Sequence, residues 1–283
     1  DRSVSRGLGD VYKRQKEYWG YALRIGIPIV PHYLSGIILN QGDRIMIDKM
    51  VGKTEVALYG LAYSIGMLVQ LFISGMNSAL TPWMYSKIKK GDIRSMRKVL
   101  QLLSVVVVGI AVALMLISPE LVLIFGSPKY REAVYVIPPV AASVFFIFIY
   151  NILSMPQFYY EKTQFLMAAS MAAAGANVVL NFIFIRLFGY IAAGYTTLAC
   201  YMLYSVGHYI VSKRILVNEG IQENLMSPGF LVACSAFLIG ASIICNLIFP
   251  YRILRYAILL ASAGLVFWKK ELLLKTMADI RKK

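Results

Sequence analysis

Long apolar stretches recur from near the start of the chain to its end, and no other feature limits the fold so severely. Eight can be read, with cores at residues 21–41, 57–80, 99–117, 133–154, 165–187, 191–210, 230–248 and 253–268. A helix needs roughly 17–25 residues to cross a bilayer, and only the last stretch is short by that measure. A lone apolar segment in lipid must satisfy its own backbone groups, which selects helices. A transmembrane barrel would show strands of about ten residues in strict alternation, and that pattern is absent. The predicted fold is all-α, a polytopic transmembrane helix bundle of about eight helices. Composition agrees: 59% of the 283 residues are hydrophobic and 15% charged, too little charge to cover a soluble domain.

The first residues stand apart. Ser5-Arg-Gly-Leu-Gly-Asp-Val-Tyr-Lys-Arg-Gln15 resembles the in-frame translation of a transposase adaptor used in sequencing libraries. Residues 1–15 are therefore set aside from fold reasoning as an expected artefact, disordered, with the native chain expected to continue upstream of Lys16. The alternative is a basic segment native to the protein.

The formal net charge is +15. In a soluble protein that would suggest nucleic acid. Here the basic residues sit in short loops beside apolar segments, where anionic lipid holds them, so the expected partner is membrane lipid and not nucleic acid. Outside residues 1–15, sixteen Lys and Arg fall on the side of the first helix's start and eight on the other. That bias places both ends in the cytoplasm. The loops are too short for a catalytic domain, so function belongs in the membrane or at its rims.

Enzyme signatures are missing. Gly126-Ser-Pro-Lys129 is a turn and not a phosphate-binding loop, and neither paired His ligands nor a G-x-S-x-G elbow occurs. Cys200, Cys234 and Cys245 lie inside apolar segments without a CxxC pair, and read as small buried hydrophobes. No enzyme, metal site or cofactor is expected.

Polar residues within the spans carry the functional reading, because lipid-facing positions tolerate few of them. On the first helix His32, Gly36, Asn40 and Asp43 follow at steps of four, four and three, along one face. Arg24 stands near the helix start, and Pro28 and Pro31 allow a bend between. One reading is a cavity-lining helix with groups for phosphate and sugar hydroxyls. In the other, Arg24 snorkels, His32 is a satisfied packing group, and Asp43 and Arg44 mark the helix end. The second helix repeats the spacing with Tyr59, Tyr63, Gly66, Gln70, Ser74 and Asn77. Aromatic rings beside amides suit a sugar, although Gly66 also fits close packing and the amides fit interhelical bonds. Asn177 and Asn181, one turn apart after the run Ala172-Ala-Ala-Gly-Ala176, read as amides bridging packed helices. Met155-Pro156 and Ile137-Pro138-Pro139 are candidate kinks.

Several motifs fall in a specific order. Gly26-Ile-Pro-Ile-Val-Pro-His-Tyr-Leu-Ser-Gly36 and Asn40-Gln-Gly-Asp-Arg-Ile45 come first, then Val56-Ala-Leu-Tyr-Gly60, Ala62-Tyr63 and Ser78-Ala-Leu-Thr-Pro-Trp83. Asn177-Val-Val-Leu-Asn181, Phe188-Gly189 and Ala192-Ala-Gly-Tyr-Thr-Thr197 follow. Over about residues 20–268 the chain resembles the polysaccharide-transporter flippases of the multidrug, oligosaccharide-lipid and polysaccharide exporter superfamily.

The resemblance implies two six-helix lobes plus accessory helices. Residues 16–217 would then be the second lobe, and 218–283 two accessory transmembrane helices with a basic cytoplasmic tail. The first lobe would be the missing partner, making this chain a carboxy-terminal fragment. The implied activity is alternating-access movement of undecaprenyl-diphosphate-linked oligosaccharide across the bacterial inner membrane, for surface polysaccharide biosynthesis. The candidate substrate-cavity residues are Arg24, His32, Asn40, Tyr59, Tyr63, Gln70 and Asn77. Asp43 and Arg44 would form a rim ion pair; Gly66, Asn177 and Asn181 would pack helices. A multidrug extrusion-type cation antiporter and a non-transporting membrane subunit of polysaccharide assembly are the competing functions.

Overall fold

The computed structural model describes residues 2–268, with side chains over 15–262, so the expected basic tail lies outside the described residues. All regular structure in it is helical. In chain order it comprises α1 (Arg2–Met50), α2 (Lys53–Gly66), α3 (Leu68–Lys89), α4 (Ile93–Phe125), a 3-10 turn (Pro128–Val136) and α5 (Ile137–Tyr159). α6 (Thr163–Phe188), α7 (Ile191–Asn218), α8 (Pro228–Ile248) and α9 (Arg252–Trp268) complete it.

The predicted second span is realised as two helices, α2 and α3, that meet at Met67. The helices also outrun their apolar cores. α1 begins at Arg2, so its backbone is helical through the segment predicted to be disordered; no proline interrupts it there. Pro138 stands in the first turn of α5, where a missing N–H costs nothing, so the Pro138-Pro139 pair starts a helix and does not kink one. Gly189, at φ +74, takes the left-handed conformation that turns the chain from α6 into α7.

Among the described residues six segments are long and apolar enough to cross a membrane: 15–50, 53–89, 93–125, 128–159, 163–188 and 228–248. α7 has the length but not the apolarity, because a stripe of Thr196, Thr197, Tyr201, Tyr204, Ser205, His208 and Ser212 is buried along it. It packs against α5 and α6 along the bundle. α9 has 17 residues within the described range.

α5 is the central post. Every residue from Ile137 to Ile149 is buried, between α7 on one side and α4, α3 and α2 on the other. α1 lies along α6, which in turn packs on α7. α8 sits against α4 and α5, and α9 against α4 and α8. Close approach is built in at Gly66: a Cβ there would lie 2.6 Å from Val140 Cγ1 of α5. At the α3–α4 turn, Asp92 caps α4 by accepting from Ser95 N at 3.3 Å, and pairs with Lys87 at 2.5 Å. The cysteines are free, Cys200 and Cys245 buried and Cys234 half-buried.

Candidate functional site

Asp43 faces inward from α1 and is completely buried. Its carboxylate accepts from Tyr59 OH of α2 at 2.5 Å, from Asn181 Nδ2 of α6 at 2.5 Å and from Thr197 Oγ1 of α7 at 2.7 Å. Behind these donors, Asn181 Nδ2 also donates to Asn177 Oδ1 at 3.2 Å, and Asn177 Nδ2 to Thr197 Oγ1 at 3.4 Å. Thr196 Oγ1 closes the cluster by donating to Asn181 Oδ1. One carboxylate thus ties four helices together through neutral groups alone.

The spacing explains why the cluster forms. Asn177 and Asn181 are one turn apart on α6, and Asp43 sits where α1 lies along that helix. Thr196 and Thr197 enter α7 just past the Gly189 turn, which folds α7 back beside α6. The small residues Ala173 and Ala174, buried one turn earlier, let the helices close.

Asp43 and Arg44 do not form an ion pair, which corrects the expectation from sequence. Consecutive helical residues project about 100° apart, so Asp43 turns toward α6 and α7 while Arg44 lies half-buried over α2. Arg44 donates to Gln41 Oε1 at 2.5 Å and lies 4.9 Å from the centroid of the Tyr63 ring. The described ion pairs are elsewhere: Lys87 with Asp92, and Arg255 with Glu120.

The remaining candidates divide into three places. Asn40 and Tyr63 adjoin the Asp43 cluster; Tyr63 OH donates to Asn40 Oδ1 at 2.7 Å, and Asn40 Nδ2 to Gly36 O at 2.8 Å. His32 lies two to three turns nearer the start of α1, bonded to Tyr204 OH at 3.0 Å and Ser170 Oγ at 3.1 Å. Arg24, Gln70 and Asn77 join neither group. Arg24 is exposed, Asn77 is half-buried, and Gln70 Oε1 is buried without a hydrogen bond. Tyr59, read from sequence as a sugar-facing ring, is fully buried with its hydroxyl on Asp43.

The sequence reading gave no role to Thr196, Thr197, Tyr204, His208 or Gln157. A signal existed: Thr197, Tyr201, Tyr204, His208 and Ser212 recur at steps of four, three, four and four, one polar face on an otherwise apolar helix.

Among the described residues no three His, Cys, Asp or Glu gather as a transition-metal site. The Asp43 cluster instead turns N–H and O–H groups onto a single carboxyl group, an arrangement that can hold a negative charge or share a proton. An isolated carboxylate is costly to bury in such a bundle, and intramembrane charges that persist mark ion or substrate pathways.

A family model described as MatE matches residues 28–183, which include both α1 prolines, Asp43, Tyr59, Asn177 and Asn181. The chain is 28% identical over 168 residues to "Lsg locus putative protein 1" of Haemophilus influenzae, covering 56% of the chain and 40% of that protein. It is 29% identical over 161 residues to a second protein of that organism, "Uncharacterized membrane protein", covering 54% of the chain and 38% of that protein. The chain spans about two fifths of the length of these curated relatives. No solved structure matches it.

Proposed function

The chain belongs to the MatE family, whose members are membrane transporters and not enzymes, and we propose that it serves a flippase for undecaprenyl-diphosphate-linked oligosaccharide. In this reading it forms the second lobe and accessory helices of a longer two-lobed protein in the bacterial inner membrane, with both ends cytoplasmic. Rocking of the lobes exposes the headgroup to one side and then the other, while the lipid tail stays in the bilayer. Surface polysaccharide assembly consumes the flipped product.

The observation that carries this reading is the charge on the open face of α1. Between residues 21 and 41 the exposed positions include Tyr21, Ile27, Val30, Tyr33, Leu34, Ile37 and Gln41, and Arg24 is the one charged group among them. Arg44 lies 20 residues further on. That separation corresponds to about 30 Å of helix, the thickness of the hydrocarbon core. A guanidinium near each membrane surface, on a helix whose outer side is mostly apolar between them, suits an anionic diphosphate entering at one surface and leaving at the other. An exporter of organic cations would want acidic groups on that face. Asp43 serves either transporter equally, as the buried group where a proton or monovalent cation is exchanged to drive the lobe between states.

The test is transfer of a fluorescent undecaprenyl-diphosphate sugar between leaflets in proteoliposomes holding the full-length protein. Transfer is expected, and Arg24→Ala should slow it by about 10- to 100-fold, the worth of a charge-assisted hydrogen bond to phosphate. Normal transfer by that variant would sink the phosphate-clamp role. Efflux of an organic cation with no lipid transfer would assign the antiporter instead.

A further inference from the structure

The chain has two histidines, and the fold brings both to one tyrosine. His32 Nδ1 is 3.0 Å from Tyr204 OH, and the Tyr204 ring lies edge-on to the His208 ring at 4.5 Å between centroids. His208 is fully buried, with Nδ1 2.8 Å from Gln157 Nε2 of α5. Its Nε2 makes no hydrogen bond, nor do the buried Gln157 Oε1 and Ser212 Oγ. Buried polar atoms left unpaired by protein are costly and are ordinarily satisfied by internal water. A separate cavity of about 200 Å³ lies between α1, α5 and α7, lined by His32, Tyr150, Asn151, Ser154 and Tyr204 and reaching Asn40. It has room for several waters.

We propose that His32 and Tyr204, on the wall of this cavity, form a hydrated proton-binding site inside the bundle, with His208 and Gln157 packed behind Tyr204 and the Asp43 cluster separate. His32 is the group that takes the proton. Hydronium in the cavity gives its proton to the imidazole and leaves as water. Both states can be satisfied at Nδ1: Tyr204 OH can donate to the neutral ring nitrogen, and Tyr204 OH or Ser170 Oγ, whose own proton goes to the Leu166 carbonyl, can accept from the protonated one. The groups that face His32 are Tyr204 from α7, with His208 beyond it, Tyr150 from α5, Ser170 from α6, and Tyr33 from α1 itself. All are uncharged at neutral pH when His208 is neutral.

The position of His32 gives the proton a consequence. Pro31 precedes it and Pro28 lies one turn earlier, so α1 lacks two ladder hydrogen bonds at this point. Ser35 Oγ also takes up the Pro31 carbonyl at 2.7 Å. A charge placed at the weakest part of α1 draws water between α1 and α7 and favours the bent form of the helix.

The site is tested without any transported substrate, so its failure and that of the flippase reading are distinguishable. The chain, labelled with 15N-histidine and held in lipid nanodiscs, should give two imidazole environments, assigned with His208→Gln. The His32 signals should exchange with water and change with protonation within a scan from about pH 4 to 8. Tyr204→Phe should change the proton affinity of His32 by about fivefold, the worth of one hydrogen bond. Asp43→Asn should leave the titration in place. Imidazole signals that stay constant across that range and show no exchange with water would overturn the proposal. Loss of the titration in Asp43→Asn would overturn the separation of the two sites.

Discussion

Two buried charges, Arg255 and Asp43, are held in opposite ways. Arg255 of α9 is 3% exposed and meets Glu120 of α4 through two hydrogen bonds of 2.8 Å, with a third to Leu116 O at 2.6 Å. Its charge is cancelled where it stands, so the pair pins α9 to α4. Asp43 has three neutral donors and no cation. Its carboxyl group is held by hydrogen bonds with no countercharge, which in the proposed mechanism leaves a proton something to bind. A countercharge makes a fastener; dipoles around a lone charge make a site that can be loaded and emptied.

The largest expected effect tests that difference directly. Asp43→Asn keeps the shape and most hydrogen bonds of the cluster while removing its charge. Transport by the full-length protein should fall by roughly two orders of magnitude, while the melting temperature moves by no more than about 3 °C. A transport rate near that of the unaltered protein would break the comparison.

Glu120→Ala should do the reverse. Stranding Arg255 should cost about 3 kcal/mol of stability, measured by denaturant unfolding in micelles, and replacing both partners with Met should recover most of it. If the double replacement is as unstable as the single one, the pair is more than a fastener. Gly66→Ala should cost about 1–3 kcal/mol by pushing α2 off α5, and Val140→Ala in the same chain should relieve it. Thr197→Val, the mildest change, should cost about 1 kcal/mol and weaken cation or proton binding at Asp43, whereas Thr197→Ser should preserve both. Equal behaviour of Val and Ser there would show that the hydroxyl does not hold the carboxylate.

Much of the fold was legible in the sequence, since apolar length marks helices that no tertiary contact needs to specify. The break at Met67 was not legible, because α2 and α3 together form one continuous apolar stretch. The hidden polar face of α7 went unread for a related reason. A polar stripe lowers the hydropathy of a helix whether it faces water or other helices, and only packing separates the two. The site was half legible. The face of His32, Asn40 and Asp43 could be read from spacing, yet spacing on one helix cannot say which partner each residue meets.

By itself the sequence determined that this is a multi-pass helical membrane protein, because apolar segments in lipid have few ways to satisfy their backbones. The order of its motifs carried the exporter superfamily, which the MatE match shows, and not the polysaccharide-transporter branch within it. The tertiary structure alone decided that Asp43 leaves its sequence neighbour Arg44 for Tyr59, Asn181 and Thr197, and that His32 and His208, 176 residues apart, share one tyrosine. Helical phase sets the direction in which a side chain points. What it meets there depends on how α1, α6 and α7 pack, which is a property of the folded bundle and of no single segment.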